Sequence, residues 1–183
     1  PRFAEWRRRG LTVDVFGGDT IDELRDTVRA LGRLTGAVDR ADTFAHELDQ
    51  RLARTPVGEP VSCAFVVGHA PLFVAGRASF VQPLLEAAGF RNVFDGDERA
   101  WFKIEAEELV QREPVVIVDT TLDAHLVDPT SAAPWAALAP HLEAVRAGRV
   151  RPFPPIRPGV DVPVWIDRLC EIRAATRGEA TPR

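Results

Sequence analysis

Residues 61–68, VSCAFVVG, form an uncharged run of strand length in which both alternating sets of side chains are apolar or small. A strand without a polar face has to be covered on both sides, which points to a parallel sheet flanked by helices. VVIVDT at 115–120 has the same character. Helical patterns alternate with these runs, so the chain reads as α/β with a largely parallel sheet.

The flanking sequence fills in the elements. LTVDVF (11–16) alternates and stops at Gly17-Gly18, a strand pattern. Thr20 opens T-x-x-E with Glu23, a capping box, and Ile21, Leu24, Val28 and Leu31 follow at helical spacing until Gly36. Residues 37–55 place Val38, Ala41, Phe44, Ala45, Leu48 and Leu52 on one face with no Gly or Pro. That predicts one stiff helix of about 28 Å. After the breaker-rich PVGEP comes the first buried strand, then PLFVAG as a short strand into a turn. Ser79 and Gln82 suggest a second capping box for a helix running to Ala88. RNVF reads as a strand and IEAEELVQRE as a helix. PWAALAPHLEAVRAGRV reads as short helical pieces, VRPFPPIRPG as an extended segment and DVPVWIDRLCEIRAAT as a closing helix. The organisation is lopsided. Residues 1–36 are too few for a core, 37–56 form a connecting helix, and 57–183 make a nearly complete α/β lobe. The chain opens on Pro1 without a Met, inside what reads as the tail of a helix, so further sequence upstream is expected.

Charge and composition narrow the function. A net charge of −4 argues against a generic nucleic-acid or anionic-membrane binder, and the three arginines of EWRRRG read as a solvated helix end. No apolar run approaches the ~18 residues of a membrane span. The two cysteines, Cys63 and Cys170, make either one disulfide or two buried thiols. The chain has neither GxGxxG nor GxxxxGK[ST] for phosphate, and no GxSxG elbow. Asp119, Asp123 and His125 are the only acid–base grouping in view, of a kind that arises by chance among 27 acidic residues. His46, His69, His125 and His141 lack metal-ligand spacing.

The ordered set of motifs resembles the helical-backbone periplasmic binding proteins of ABC importers for cobalamin, haem and iron–siderophore complexes, most of all the cobalamin type. TIDELRDTVRALGRLTGAVDRADTFAHEL is similar to that family's last N-lobe helix, LG…TG turn and backbone helix. PLFVAGRASFVQPLLEAAGFRNVF and WFKIEAEELVQREPVVIV resemble its P-x-x-x-(A/S)G…AGG-x-N and W-x-x-(V/I)-S-x-E-x-L motifs, and RPG fits near the C-terminus. Departures fall at Phe90, Glu105 and Val115, where the pattern has Gly, Ser and Asp. The resemblance implies a helical-backbone periplasmic binding protein: a Rossmann-like C-lobe, a long connecting helix and a partial N-lobe. It implies a monomeric receptor without a resident cofactor or metal, extracytoplasmic, handing a metal chelate to a membrane permease.

The same resemblance assigns roles. Phe73 and Trp101 would line the C-lobe side of the ligand cleft, Arg157 in PPIRPG would face the ligand, and His69 lies at the same end of the sheet. Large aromatic faces hold a flat, partly apolar chelate at little entropic cost. Glu107 would project from the outer edge and pair with permease arginines. Plainer alternatives stand beside these: a core aromatic, a surface arginine, a solvated histidine and a glutamate favoured by a helix dipole. For the whole chain the alternatives are a small α/β enzyme, a metal-ion receptor and a non-transport ligand sensor on the same fold.

Overall fold

The computed structural model describes residues 2–13, 17–122, 133–155 and 162–178. Helix α1 (Arg2–Arg8) comes first. Residues 11–13 are irregular and 14–16 lie outside the described residues, so the strand expected over 11–16 is not seen in its first half. Helix α2 (Ile21–Thr35) starts at the expected capping box: Thr20 Oγ1 accepts from the Glu23 N–H, and Glu23 Oε2 accepts from the Thr20 N–H. It ends at Gly36, whose φ of 71° is left-handed, the conformation glycine adopts without a Cβ clash. Helix α3 (Val38–Leu52) is the connecting helix, shorter than 37–55 because the chain leaves the helix at Ala53. At 1.5 Å per residue it is about 22 Å long.

The remaining elements are β1 (Val61–His69), β2 (Leu72–Ala75), α4 (Val81–Ala87), β3 (Phe90–Asn92), β4 (Trp101–Lys103), α5 (Ala106–Arg112), β5 (Val116–Asp119), α6 (Ala133–Leu138), α7 (Glu143–Arg146), β6 (Val150–Pro152) and α8 (Val162–Arg177). They build one sheet in the order β4-β2-β1-β5-β6. β3 pairs in parallel with the first residues of β1, while β2 turns back antiparallel along its end. β1–β5 and β5–β6 are parallel, and β2–β4 is antiparallel.

Side-chain alternation along β1 explains its lack of a polar face. Cys63 and Phe65 enter a core with Ile21 and Leu24 of α2, Phe44 and Leu48 of α3, Leu84 and Leu85 of α4, and Trp165, Ile166 and Leu169 of α8. Ala64 and Val66 enter a second core with Leu109 of α5 and Trp135 of α6. Both cysteines are free, so the disulfide alternative falls; burial pushes both thiols up. The second expected capping box is absent. Ser79 Oγ donates to the Gly76 carbonyl, and the Gln82 side chain bridges Glu86 and Asn92. Helix α4 starts after Phe80 with no side-chain cap.

Candidate functional site

The parallel strands β1, β5 and β6 end together, the position at which open α/β sheets bind ligands. There Val67, Trp101, Thr120 and Pro155 line a depression of about 350 Å³. Trp101 opens β4 and is half-buried. Its ring meets Phe80 edge-on at 5.6 Å, and Phe80 stacks on Trp165 at 6.3 Å, so core aromatics support the ring from behind. Its indole Nε1–H donates to Asp19 Oδ1 at 2.8 Å, across 82 residues of sequence.

The turn before β4 helps to set this ring. Gly76 receives the loop so closely that a Cβ there would lie 2.2 Å from the Arg99 carbonyl oxygen. Its N–H donates to the Ala100 carbonyl, and the Arg77 N–H donates to the Asp97 carbonyl. Within the loop Arg99 grips Asp97, and that hydrogen bond holds the Asp97 carboxyl at about 2. The Arg99 guanidinium also covers the Phe102 ring at 4.1 Å.

Phe73 lies on β2, half-buried, opposite Lys103 of β4 and Gly68 of β1. Ala75 pairs with Trp101, so Phe73 is one pleat further along the same face of the sheet. It does not line the depression but extends the aromatic surface toward the strand ends.

His69 is placed elsewhere. Its Nε2 is 2.6 Å from Asp119 Oδ2, which also accepts from Trp135 Nε1 at 2.6 Å. Asp119 Oδ1 accepts from the Thr121 N–H at 2.8 Å and its hydroxyl at 2.7 Å. The Asp119 carboxylate is fully buried and both its oxygens are satisfied. The His69 ring meets Trp135 edge-on at 5.1 Å, against the second core, so the sheet separates it from Trp101 and Phe73.

Arg157 lies outside the described residues. Glu107 is exposed in the first turn of α5 and makes no hydrogen bond or ion pair among the described residues. Its neighbours are engaged: Glu105 with Lys103 at 2.7 Å and Glu108 with Arg112 at 3.2 Å. Among the described residues no group of three His, Cys, Asp or Glu is placed to hold a metal ion, and no helix is long and apolar enough to cross a membrane. Asp19 is a site residue that sequence reasoning did not find, and Asp119, met there only in a chance grouping with Asp123 and His125, which lie outside the described residues, anchors His69 and Trp135 instead. Their partners are 82 and 50 residues away, and no local pattern marks them.

The family model described as periplasmic binding protein matches residues 10–155. The chain belongs to the periplasmic binding protein family. The vitamin B12-binding protein of Vibrio cholerae is 22% identical over 151 residues, covering 80% of this chain and 53% of that protein. The chain thus spans about half the length of the relatives it matches at this level. The fold is shared with the periplasmic heme-binding protein RhuT from Roseiflexus (TM-score 0.74, 19% identity, 95% of this chain and 71% of that one). It is also shared with the periplasmic vitamin B12-binding protein BtuF of Vibrio cholerae (TM-score 0.67, 17% identity, 97% and 71%). The expected α/β periplasmic-binding-protein architecture is therefore the observed one.

Proposed function

We propose that this family member supplies one wall of the ligand cleft in the solute-binding component of an ABC importer. The ligand is a metal chelate: cobalamin first, an iron–siderophore complex or haem next. The observation that carries this reading is the Trp101 ring at the depression beyond the strand ends, backed by Phe80 and in turn Trp165, with Phe73 one pleat further along the same face. Flat, supported rings of this kind suit a large planar ligand with apolar faces. Relatives named for vitamin B12, heme and Fe3+-hydroxamate transport point to the same ligand class. The protein works outside the cytoplasm, without a resident cofactor and as a monomer, and it delivers its ligand to a permease. Glu107, the unengaged glutamate of its cluster, is the docking charge, and Arg157, in the sequence PPIRPG, is assigned to the ligand by the family resemblance. His69, expected at the ligand, is instead held by Asp119 and Trp135 on the other side of the sheet from the rings, so it is not assigned a ligand contact.

Titration of the 183-residue chain with cyanocobalamin, haemin and a ferric hydroxamate, followed in the visible range, tests this. Trp101→Ala and Phe73→Ala should each lose on the order of 1–3 kcal/mol of affinity for the bound chelate, the scale for removing a packed ring. Glu107→Ala should leave affinity unchanged, since an exposed rim charge tunes docking rather than ligand burial. Normal binding by both ring variants would overturn the assignment.

A further inference from the structure

The Asp19–Trp101 hydrogen bond joins two segments with no sequence relation. Asp19 stands just before α2, in the turn that Glu23 closes: Glu23 Oε2 accepts from the Asp19 N–H at 2.9 Å and the Thr20 N–H at 3.0 Å. Its backbone is thus fixed by the helix cap and its carboxylate is directed at β4. Oδ1 takes the indole N–H of Trp101, a charge-assisted bond, and Oδ2 has no partner among the described residues. The basic side chains that flank Trp101 in sequence are already neutralised, Arg99 by Asp97 and Lys103 by Glu105. Asp19, which is exposed, therefore leaves a solvent-facing acceptor beside the Trp101 ring.

We infer that Asp19 is a specificity-determining residue of this site. It pins the Trp101 ring through Oδ1 and presents Oδ2 to the ligand's rim. The site then favours chelates whose periphery donates hydrogen bonds, such as amides, over chelates that carry carboxylates. Two effects produce the preference: an amide N–H gains an acceptor, while a ligand carboxylate meets like charge at a ring it would otherwise cover. The inference rests on the proposed ligand class, and its test separates the two.

The affinities of the 183-residue chain for cyanocobalamin, with amide side chains, and haemin, with two propionates, are measured in the wild type, Asp19→Asn and Asp19→Ala. Asp19→Asn keeps an oxygen acceptor for the indole and removes the charge. It should raise haemin affinity roughly threefold, the scale of an exposed charge interaction, lower cyanocobalamin affinity because the Nδ2 donor stands where Oδ2 accepted, and lose the haemin gain in high salt. Asp19→Ala frees the ring and should weaken both ligands. Ligand-free fluorescence reads the pinning separately: Asp19→Ala should shift the emission, and the shift should vanish in a Trp101→Phe background, where Trp6, Trp135 and Trp165 remain. Binding of both chelates with an affinity ratio that Asp19→Asn does not change overturns the inference alone. Failure of both chelates to bind overturns the ligand class and the selectivity together. An unshifted spectrum in Asp19→Ala overturns the pinning.

Discussion

Asp119 holds the top of the second core together. Its buried carboxylate takes four donated hydrogen bonds, from His69, from Trp135 and two from Thr121. Trp135 is fully buried, so without Asp119 its indole N–H has no water to turn to. Removing the carboxylate leaves the buried Trp135 indole and its neighbouring donors without an acceptor, a loss of about 1–3 kcal/mol for each buried donor left unpaired. Asp119→Ala should therefore lower the unfolding free energy from urea titration by roughly 2–4 kcal/mol, whereas Thr121→Val, which removes only one of the four bonds, should cost about 1 kcal/mol. Equal, small losses would mean that water replaces the carboxylate. This network also explains why His69 was hard to read from sequence. A histidine after a strand looks the same whether it faces ligand or a buried acid 50 residues away. Trp101 was easier to place, because a tryptophan after the polar DGDERA loop has few ways to be fully buried.

At the scale of elements, α2 and α3 pack through a glycine. A Cβ on Gly32 would lie 2.6 Å from Ala41 Cβ and 3.2 Å from the Ala37 carbonyl oxygen. In an exposed helix Gly→Ala gains up to about 1 kcal/mol. Here the contact reverses the sign, because neither backbone nor Cβ can rotate away. Gly32→Ala should destabilise by about 1–3 kcal/mol, the range for overpacking, and a denaturation midpoint at or above wild type would count against the close approach. Such contacts are invisible in a periodicity pattern, which explains what the sequence did and did not reveal. β1, β5, α2 and α3 were legible because each buries a face that its own residues define. The α2 capping box was legible because both its partners are local. The motif at Ser79 failed although its spacing was right: the Gln82 N–H donates to the Ser79 backbone carbonyl rather than its hydroxyl, Ser79 Oγ donates to the Gly76 carbonyl, and Gln82 Oε1 accepts from Asn92. The antiparallel β2–β4 edge was not readable either, since pairing across 26 residues or more leaves no trace in either strand alone.

Across the whole molecule, the described helices differ sharply in what anchors them. Residues 3–8 of α1 are all exposed, and the contacts around it are local: Arg9 to Glu5, Phe3 to Trp6, and Arg7 to the Val13 carbonyl. Helix α3 is different. Leu48 is fully buried in the same core as Cys63, Phe65 and Val118 of the sheet and Trp165 of α8. Arg51 and Arg54 also converge on Asp167 of α8, whose carboxyl they hold below its ordinary value against the opposing effect of burial. A connector bonded to the lobe along its length can transmit orientation but cannot act as a hinge, which needs residues free to change φ and ψ. Hydrogen exchange tests this directly. Central amides of α3 should exchange only with global unfolding, as those of β1 and β5 do, while α1 amides exchange near the unprotected rate. Leu48→Ala should cost about 2–5 kcal/mol and lower protection in α3, β1 and β5 by the same amount, leaving α1 unchanged. If Leu48→Ala instead loosens α3 alone, the helix opens independently of the sheet, and the stiff-connector reading is overturned.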